Sequence, residues 1–171
     1  MKFNRVWAMP NHNTFSIKPI CELITRHIDG QNGKWLDPFS RNSPFKDLCV
    51  TNDLSTEFEA DYHMEALPFL QQFQDNSAWG VLFDPPYSPR QISECYKQVG
   101  RAVHMKDTQS SFYGDRKKEV ARVVRSGGKV ISFGWNSGGI GKTLGFEIIE
   151  ILMVPHGGAH NDTIVTVEVK R

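Results

Sequence analysis

The sequence has almost no net charge, few cysteines and no long apolar run, and each shortage excludes a class of protein. It contains 20 Lys and Arg residues against 19 Asp and Glu residues, a formal net charge of +1. The overall charge therefore does not indicate a nucleic-acid-binding protein, and any such binding needs a local basic patch. The three cysteines, Cys21, Cys49 and Cys95, include no CxxC pair. This favours reduced thiols in a cytosol over a disulfide framework or a zinc site.

Signals for export and for membrane insertion are also lacking. No apolar stretch is long enough to cross a membrane, and the opening residues MKFNRVWAMP lack the apolar core of a signal peptide. We therefore expect a cytoplasmic protein with no membrane segment and no metal. Since 171 residues suffice for one hydrophobic core and are too few for two ordinary domains, we expect a single domain over residues 1–171.

The hydrophobic pattern predicts alternating helices and strands. Apolar residues recur at helical spacing over residues 17–28 before Gly30 and Gly33, and further helices are predicted over 64–73, 91–99 and 116–125. Short apolar runs predict buried strands over 34–37, 48–52, 79–83 and 129–133, followed by a hairpin of 146–154 and 163–169. This order is typical of an α/β, doubly wound, mostly parallel sheet with a C-terminal antiparallel hairpin.

One connection in this layout is unusually short. Only ten residues separate Asp37 from Leu48, whereas a parallel crossover that carries a helix usually needs a dozen or more. We expect the helix after the first of these strands to be missing or shortened to a single turn.

The stretch DPPY, Asp84 to Tyr87, follows the apolar run WGVLF. Strand ends are where ligands bind in open α/β sheets, and Asp37 lies at another such end. The prolines remove two amide donors, so the neighbouring carbonyl groups and the Asp84 carboxylate can accept from an amino group while Tyr87 stacks on its ring. Such acceptors would favour attack by an aromatic amine on a sulfonium methyl group. The structural alternative is a strand end with a surface tyrosine.

Several ordered motifs together resemble a known family. The segments TFSIKPICELI, GKWLDPF, VLFDPPY and EVARVVRSGGKVISFGW resemble, in this order, the amino-group DNA methyltransferases that use S-adenosylmethionine, specifically the N6-adenine enzymes. The likeness runs from about residue 10 to the C-terminus. It implies a Rossmann-like methyltransferase fold and a minimal, phage-like, site-specific enzyme of the restriction-modification type, without a separate target-recognition domain. If phage-encoded, it would work in the host cytoplasm.

The resemblance also implies roles for individual residues. The catalytic motif corresponds to Asp84, Pro85, Pro86 and Tyr87, in which Asp84 and the Pro85 carbonyl accept from the adenine amino group. The residues implied to bind the cofactor are Lys18, Pro19, Asp37, Pro38, Phe39, Asp53 and Glu65. Two of these have structural alternatives: Asp53, expected to hold the ribose hydroxyls, could cap a turn, and Glu65, expected near the cofactor's adenine, could be an exposed carboxylate at a helix start.

The sequence departs from the family after the DPF motif. Glycines normally follow it, but here the stretch is DPFSRNSPF, in which Asn42 is the residue best suited to a left-handed conformation. We expect an open cofactor site that is weakly occupied or completed by a second subunit, and hence a homodimer. The alternative is an inactive methyltransferase fold that binds nucleic acid or a partner.

DNA contacts are expected from the segment that follows the catalytic motif, residues 88–118. Its positive side chains suit phosphate contacts during base extrusion. The candidates are Arg90, Lys97, Arg101, Lys106, Arg116 and Lys117. The alternative for each is a solvated helix face.

Three further alternatives stay open. The acceptor could be RNA or the N4 of cytosine. The stretch NSGGIGKT, residues 136–143, nearly matches a phosphate-binding loop, but its first glycine is replaced by Asn136 and a strand is predicted to follow. His156, His160, Asn161 and Asp162 could suggest a metal, but turn chemistry explains this cluster better.

Overall fold

The computed structural model describes residues 1–28 and 33–171. Gly30, one of the two glycines expected to follow the first helix, lies outside the described residues, as does the side chain of Lys106. The described residues form one seven-stranded sheet. Its strands are β1 (Lys2–Arg5), β2 (Trp35–Asp37), β3 (Cys49–Thr51), β4 (Ala78–Phe83), β5 (Val124–Gly134), β6 (Phe146–Val154) and β7 (Thr163–Lys170).

The strand order is β1-β6-β7-β5-β4-β2-β3. β7 runs antiparallel to both of its neighbours, β5 and β6, whereas the other pairings are parallel. The mostly parallel sheet and the C-terminal hairpin are thus confirmed.

The direction of strand addition reverses beside β2. The chain passes from β2 outward to β3 and then returns to β4 on the other side of β2, with Trp35 opposite Gly80 and Leu36 opposite Val81. The carboxyl ends of β2 and β4 therefore meet at the switch point, where ligands bind in open α/β sheets. This register brings the ends of the DPF and DPPY strands together.

Helices cover both faces of the sheet. They are α1 (Lys18–Ile28), α2 (Ala66–Gln71), α3 (Pro89–Gln98) and α4 (Ser110–Val123). The apolar face of α1 packs with Leu82 and Ile131, whereas α2 and α4 pack with Val81 and Val130. Because neighbouring residues of β4 and of the second half of β5 enter opposite cores, these stretches are buried on both sides, which explains the apolar runs WGVLF and VISF.

The missing crossover helix is confirmed. Residues 38–48, between β2 and β3, form turns and contain no helix. Arg41, in this connection, has a φ of 42°. The expected left-handed residue, Asn42, was therefore assigned one position too late.

Three elements differ from the sequence prediction, and one of them is β5, which was expected over 129–133 but begins at Val124. The edge strand β1 was missed, because its four residues are mostly exposed and carry no apolar run. The helix predicted over 116–125 was displaced: α4 begins at Ser110 and ends at Val123, and the next residue opens β5. Polar residues at the start of α4 obscure the helical spacing of its apolar residues, so its beginning was placed too late. The apolar residues at its end continue directly into β5, so its end was placed too late as well. Among the helices of the described residues, we find none whose length and apolarity would let it span a bilayer.

Candidate active site

A cavity of about 700 Å³ opens at the carboxyl edge of the sheet, beside the switch point. Its wall includes many of the residues that the sequence suggested. They are Pro38, Phe39, Asp53, Glu65, Asp84, Pro85, Pro86 and Tyr87. Its size lies within the range of pockets that bind small molecules and cofactors. The fold thus gathers the motifs after β2, β3 and β4 around one space.

Asp84 and Tyr87 are joined directly. The Tyr87 hydroxyl donates to Oδ1 of Asp84. Burial raises the pKa of Asp84 to about 6, and hydrogen bonds from Tyr87 and Thr14 limit this rise. Burial, together with the neighbouring Asp84 charge, raises the pKa of Tyr87 well above its ordinary value. Asp84 is therefore largely ionised at neutral pH, while Tyr87 remains a neutral donor.

The two prolines of the motif have different surroundings. The Pro86 carbonyl accepts from the Tyr113 hydroxyl at 2.6 Å. The Pro85 residue lines the cavity, and no donor within residues 1–28 and 33–171 reaches its carbonyl oxygen. The backbone beyond the motif is fixed because the Tyr87 amide donates to Gln91 Oε1 at 2.6 Å. Asp84 and Pro85 both line the cavity, and within this motif the Asp84 carboxylate and the Pro85 carbonyl are the candidate acceptors for a ligand.

Asp37 lies beneath the cavity rather than on its wall. Its side chain is fully buried. Oδ1 accepts from the Phe39 amide at 3.3 Å, whereas Oδ2 has no hydrogen-bond partner in the described part of the chain. Burial raises the pKa of Asp37 to about 8, and the charge of Asp84 adds to the rise. Asp37 is therefore mostly protonated at neutral pH.

Asp53 both caps the loops and lines the cavity. Its Oδ2 accepts from the Arg41 amide at 2.9 Å, and its Oδ1 accepts from the Ser55 amide at 2.8 Å. Each carboxylate oxygen can accept a further hydrogen bond. The turn-cap alternative therefore holds without removing Asp53 from ligand binding.

Asn52 is a positioning residue that the sequence reasoning missed. It is buried, and its Nδ2 donates to the carbonyl groups of Pro38 at 3.1 Å and Met64 at 2.9 Å, while its Oδ1 accepts from the Met64 amide at 3.1 Å. Asn52 thereby ties the DPF loop to the segment before α2. The signal available in the sequence was a polar amide directly before Asp53, at the end of an apolar strand.

Glu65 lies on the cavity wall within a cluster of charges. Its carboxylate accepts from the Tyr96 hydroxyl at 3.0 Å, pairs with Arg116 at 3.3 Å and also pairs with Arg101. It stands at the start of α2, as the alternative interpretation has it, but its side chain is only 21% exposed. Its negative charge is already compensated by two guanidinium groups.

Arg116 requires a correction, because it was expected on the nucleic-acid surface. It is buried, its Nη1 donates to the Phe112 carbonyl at 2.8 Å, and its guanidinium lies 3.4 Å from the centroid of the Phe112 ring. Burial lowers its pKa. The structure therefore places Arg116 inside the cavity wall, where it supports Glu65.

The other basic candidates occupy different surroundings. Arg101 is partly buried between Glu65 and the Tyr96 ring, and Lys117 is partly buried. Arg90 and Lys97 are exposed on α3, where Arg90 pairs with Glu94 at 2.9 Å. Lys106 cannot be placed, since its side chain lies outside the described residues. Lys18 and Pro19 form the first turn of α1 and do not line the cavity.

The connection after β2 brings an arginine into the cavity. Arg41 lines the wall, and its guanidinium lies 5.2 Å from the centroid of the Phe58 ring. Its positive charge lowers the pKa of Asp84. The position where glycine was expected thus contributes a cation.

The stretch that nearly matches a phosphate-binding loop, residues 136–143, binds a side chain of the protein itself. The amides of Ile140 and Gly141 donate to the carboxylate of the buried Glu168, at 2.6 and 3.0 Å. β6 follows after a single short turn, Lys142–Leu144. The loop therefore binds the internal carboxyl group of Glu168 and lacks the following helix that a phosphate site needs.

The histidine cluster of the last hairpin is divided. Both ring nitrogens of His156 are engaged, Nδ1 with the Ala8 carbonyl at 2.9 Å and Nε2 with the Thr163 hydroxyl at 2.8 Å. In the described ranges, no group of three or more His, Cys, Asp or Glu side chains is arranged to hold a metal ion. His156 therefore links the N-terminal segment at Ala8 to the start of β7 at Thr163.

Comparison with known proteins supports the fold through structure rather than sequence. The sequence matches no protein-family model and no curated protein. TrmN from Thermus thermophilus superimposes with a TM-score of 0.60 at 15% identity, over 91% of this chain and 49% of TrmN. The N-methyltransferase NodS from Bradyrhizobium japonicum WM9 gives a TM-score of 0.59 at 7% identity, over 90% of this chain and 94% of NodS.

A third similar structure holds ligands. The 1,6-didemethyltoxoflavin-N1-methyltransferase of Burkholderia thailandensis, solved with 1,6-didemethyltoxoflavin and S-adenosylhomocysteine, has a TM-score of 0.58 at 12% identity, over 90% of this chain and 77% of that enzyme. At such identities the likeness shows the fold alone: this chain has a Rossmann-like methyltransferase fold. It spans about half of the length of TrmN.

Proposed function

We propose that this protein transfers a methyl group from S-adenosylmethionine to the exocyclic N6 of adenine in DNA. The observation that carries the proposal is the pair of acceptors at the switch point, the Asp84 carboxylate and the Pro85 carbonyl, on the same cavity wall as Tyr87. An aromatic amino group has two hydrogens to donate, and two acceptors can receive them. A polar clamp of this kind suits an amine better than an alcohol or a carbon acid.

The cavity residues fit the proposed cofactor. Asp53 presents a carboxylate with spare acceptor capacity for two ribose hydroxyls, and Phe39 and Phe58 offer apolar surface for the remainder. The unpartnered Oδ2 of Asp37 lies at the same strand edge. When bound there, S-adenosylmethionine would supply an electrophilic methyl group that an amine can accept without losing a proton first. Several structures with this fold hold related ligands, among them SMU.776 with SAH.

The clamp itself acts through charge. With a pKa of about 6, Asp84 is an anion at neutral pH, and the amino nitrogen gains positive charge as it forms its new bond. A carboxylate held in place before the reaction stabilises that charge without reorganisation. The ring of Tyr87, which also lines the cavity, would lie against the base.

An inactive fold is the second candidate, because specific observations favour it. Arg41 lines the cavity at a position where the family has glycine. Glu65, expected to contact the cofactor, is already paired with Arg101 and Arg116. Titration calorimetry with S-adenosylhomocysteine separates the candidates. An active enzyme binds the ligand with measurable heat, whereas an inactive fold shows no heat at millimolar ligand.

The acceptor is tested by product analysis. The protein is incubated with isotopically labelled S-adenosylmethionine and, in separate reactions, double-stranded DNA, single-stranded DNA and RNA, and the products are digested to nucleosides. We expect label in N6-methyl-2′-deoxyadenosine. Label only in N4-methyl-2′-deoxycytidine or in RNA nucleosides would replace the proposed acceptor, and no label in any nucleoside would contradict a nucleic-acid substrate.

The homodimer is part of the same proposal. A second subunit would wall the open side of the cofactor site left by the missing crossover helix. Sedimentation velocity should show a dimer at assay concentrations, whereas a fully active monomer would contradict this part.

A further inference from the structure

A second cavity, of about 390 Å³, lies between the end of β5 and the turn that leads into β7. It is lined by Trp135, His160, Asn161, Asp162 and Ile164. Gly134 and Ile164 are paired across the two strands, so the sheet itself holds Trp135 beside the end of the turn. The positive φ angles of Gly157 (70°) and Gly158 (60°) belong to this turn and allow its tight path.

This cavity adjoins the catalytic motif through an aromatic contact. The rings of Trp135 and Tyr87 meet edge to face, with centroids 5.7 Å apart. Tyr87 lines the larger cavity and Trp135 the smaller. The two spaces are therefore neighbours, separated by a pair of aromatic side chains.

The chemistry of the smaller cavity suits a flat ring rather than a phosphate. Trp135 is 42% exposed, so part of its indole ring is accessible to a ligand. The lining includes the carboxylate of Asp162 and neither lysine nor arginine. Within the described part of the chain, the side chains of Asn161 and Asp162 form no hydrogen bond or ion pair. A cavity that combines an accessible aromatic ring with unpaired acceptors suits a nucleobase that carries an amino group.

We propose that this cavity binds the nucleobase next to the acceptor base, stacked on Trp135 and read at its edge by Asp162. The inference rests on the proposed function, because it assumes that the acceptor at Tyr87 is a base within a nucleic acid. A carboxylate only accepts hydrogen bonds, so bases with an exocyclic amino group are preferred over thymine at this position. Trp135 and Asp162 thereby contribute sequence selectivity from the loops at the carboxyl edge of the sheet.

The test measures binding, independently of catalysis. Short single-stranded oligonucleotides with one adenine, flanked by guanine, cytosine or thymine, are titrated against the protein in the presence of S-adenosylhomocysteine. Affinity is read by fluorescence anisotropy of a labelled oligonucleotide, and base stacking by quenching of tryptophan fluorescence. The variants are Trp135→Ala, Trp135→Phe and Asp162→Asn. The matched control is Trp7→Phe, which changes another exposed tryptophan outside this cavity (61% exposed).

We expect Trp135→Ala to weaken binding about 5- to 150-fold, the range for loss of one stacked base. Trp135→Phe should retain most of the affinity but lose the quenching, whereas Trp7→Phe should retain both. Asp162→Asn should bring the affinity for the thymine-flanked oligonucleotide up to that for the others. Circular dichroism and S-adenosylhomocysteine binding confirm that each variant is folded.

Unchanged affinity in Trp135→Ala together with no preference among flanking bases would overturn the inference. If the wild type still formed N6-methyl-2′-deoxyadenosine in that case, the proposed function would stand and only the subsite would fall. If the wild type bound no oligonucleotide but methylated a small heterocyclic amine, both would fall.

Discussion

The hydroxyl of Tyr87 donates a hydrogen bond to the carboxylate of Asp84. This bond lowers the pKa of Asp84 against the larger effect of burial, which raises it to about 6. The tyrosine of the motif therefore has two separable properties, a ring that lines the cavity and a hydroxyl that keeps the acid ionised.

Replacing Tyr87 by Phe should separate these properties. Without the donor, the pKa of Asp84 rises, so the acid limb of the pH profile of kcat/KM should move to higher pH. Well above that limb, methyl transfer should stay near the wild-type rate, because the ring is retained. Tyr113→Phe is the matched control, since its hydroxyl contacts Pro86 rather than Asp84. An unshifted limb in Tyr87→Phe would show that Asp84 does not control it.

Asp37 should make the fold less stable as pH rises. Its pKa is about 8 in the folded protein against 3.8 ordinarily, so the native state holds a proton that the unfolded state has lost. Its contribution to the free energy of unfolding therefore falls between about pH 4 and pH 8, by at most about 1.4 kcal/mol per pH unit.

Asp37→Asn should flatten this dependence in urea unfolding measured from pH 5 to pH 8. Part of the slope will remain, because burial also raises the pKa of Asp84 and of Glu168. The exposed Asp47→Asn should keep the wild-type slope. Equal slopes in Asp37→Asn and the wild type would contradict the buried, protonated state of Asp37.

Gly139 should tolerate no side chain. Its φ is +51°, and an added Cβ would overlap the carboxylate of Glu168. Gly139→Ala therefore combines a left-handed alanine, about 1–2 kcal/mol, with weakened hydrogen bonds to a buried carboxylate. We expect a loss of about 2–4 kcal/mol in the free energy of unfolding. Gly134→Ala is the control, because its Cβ meets nothing within 4 Å; a similar loss there would refute the specific overlap.

At position 41, the glycine variant should be more stable than the alanine variant, which reverses the order usual in proteins. Both Arg41→Gly and Arg41→Ala remove the contact with Phe58, but only glycine adopts the φ of 42° without strain. Arg41→Gly should therefore be about 1 kcal/mol more stable than Arg41→Ala. At the neighbouring Asn42, which has no positive φ, alanine should be the more stable substitution. If alanine were the more stable substitution at position 41 as well as at position 42, the backbone strain at Arg41 would be contradicted.

The predictable part of this molecule is the part that local sequence determines. The apolar run WGVLF identified β4, the largely apolar stretch FEIIEILMV identified β6, and the ten-residue spacing after Asp37 correctly excluded a crossover helix. Asp84 and Tyr87 were found together because four consecutive residues contain both groups. In such cases the chain's own geometry brings the residues together.

The sequence could not reveal pairings between distant positions. Glu65 and Arg116 are 51 residues apart, and nothing near either residue shows that one will neutralise the other. The burial of Arg116 therefore overturned its expected place on the surface. Glu168 and the Ile140 amide, 28 residues apart, likewise meet only after β7 has inserted between β5 and β6.

The most direct test compares wild type and Asp84→Ala for formation of N6-methyl-2′-deoxyadenosine in DNA, measured by mass spectrometry of digested nucleosides. We predict product with the wild type, none with Asp84→Ala, and unchanged S-adenosylhomocysteine affinity in the variant. Glu147→Ala, which removes an exposed acid paired with Arg171, should retain full activity. Undiminished product with Asp84→Ala would contradict the assignment of the switch-point clamp as the catalytic site.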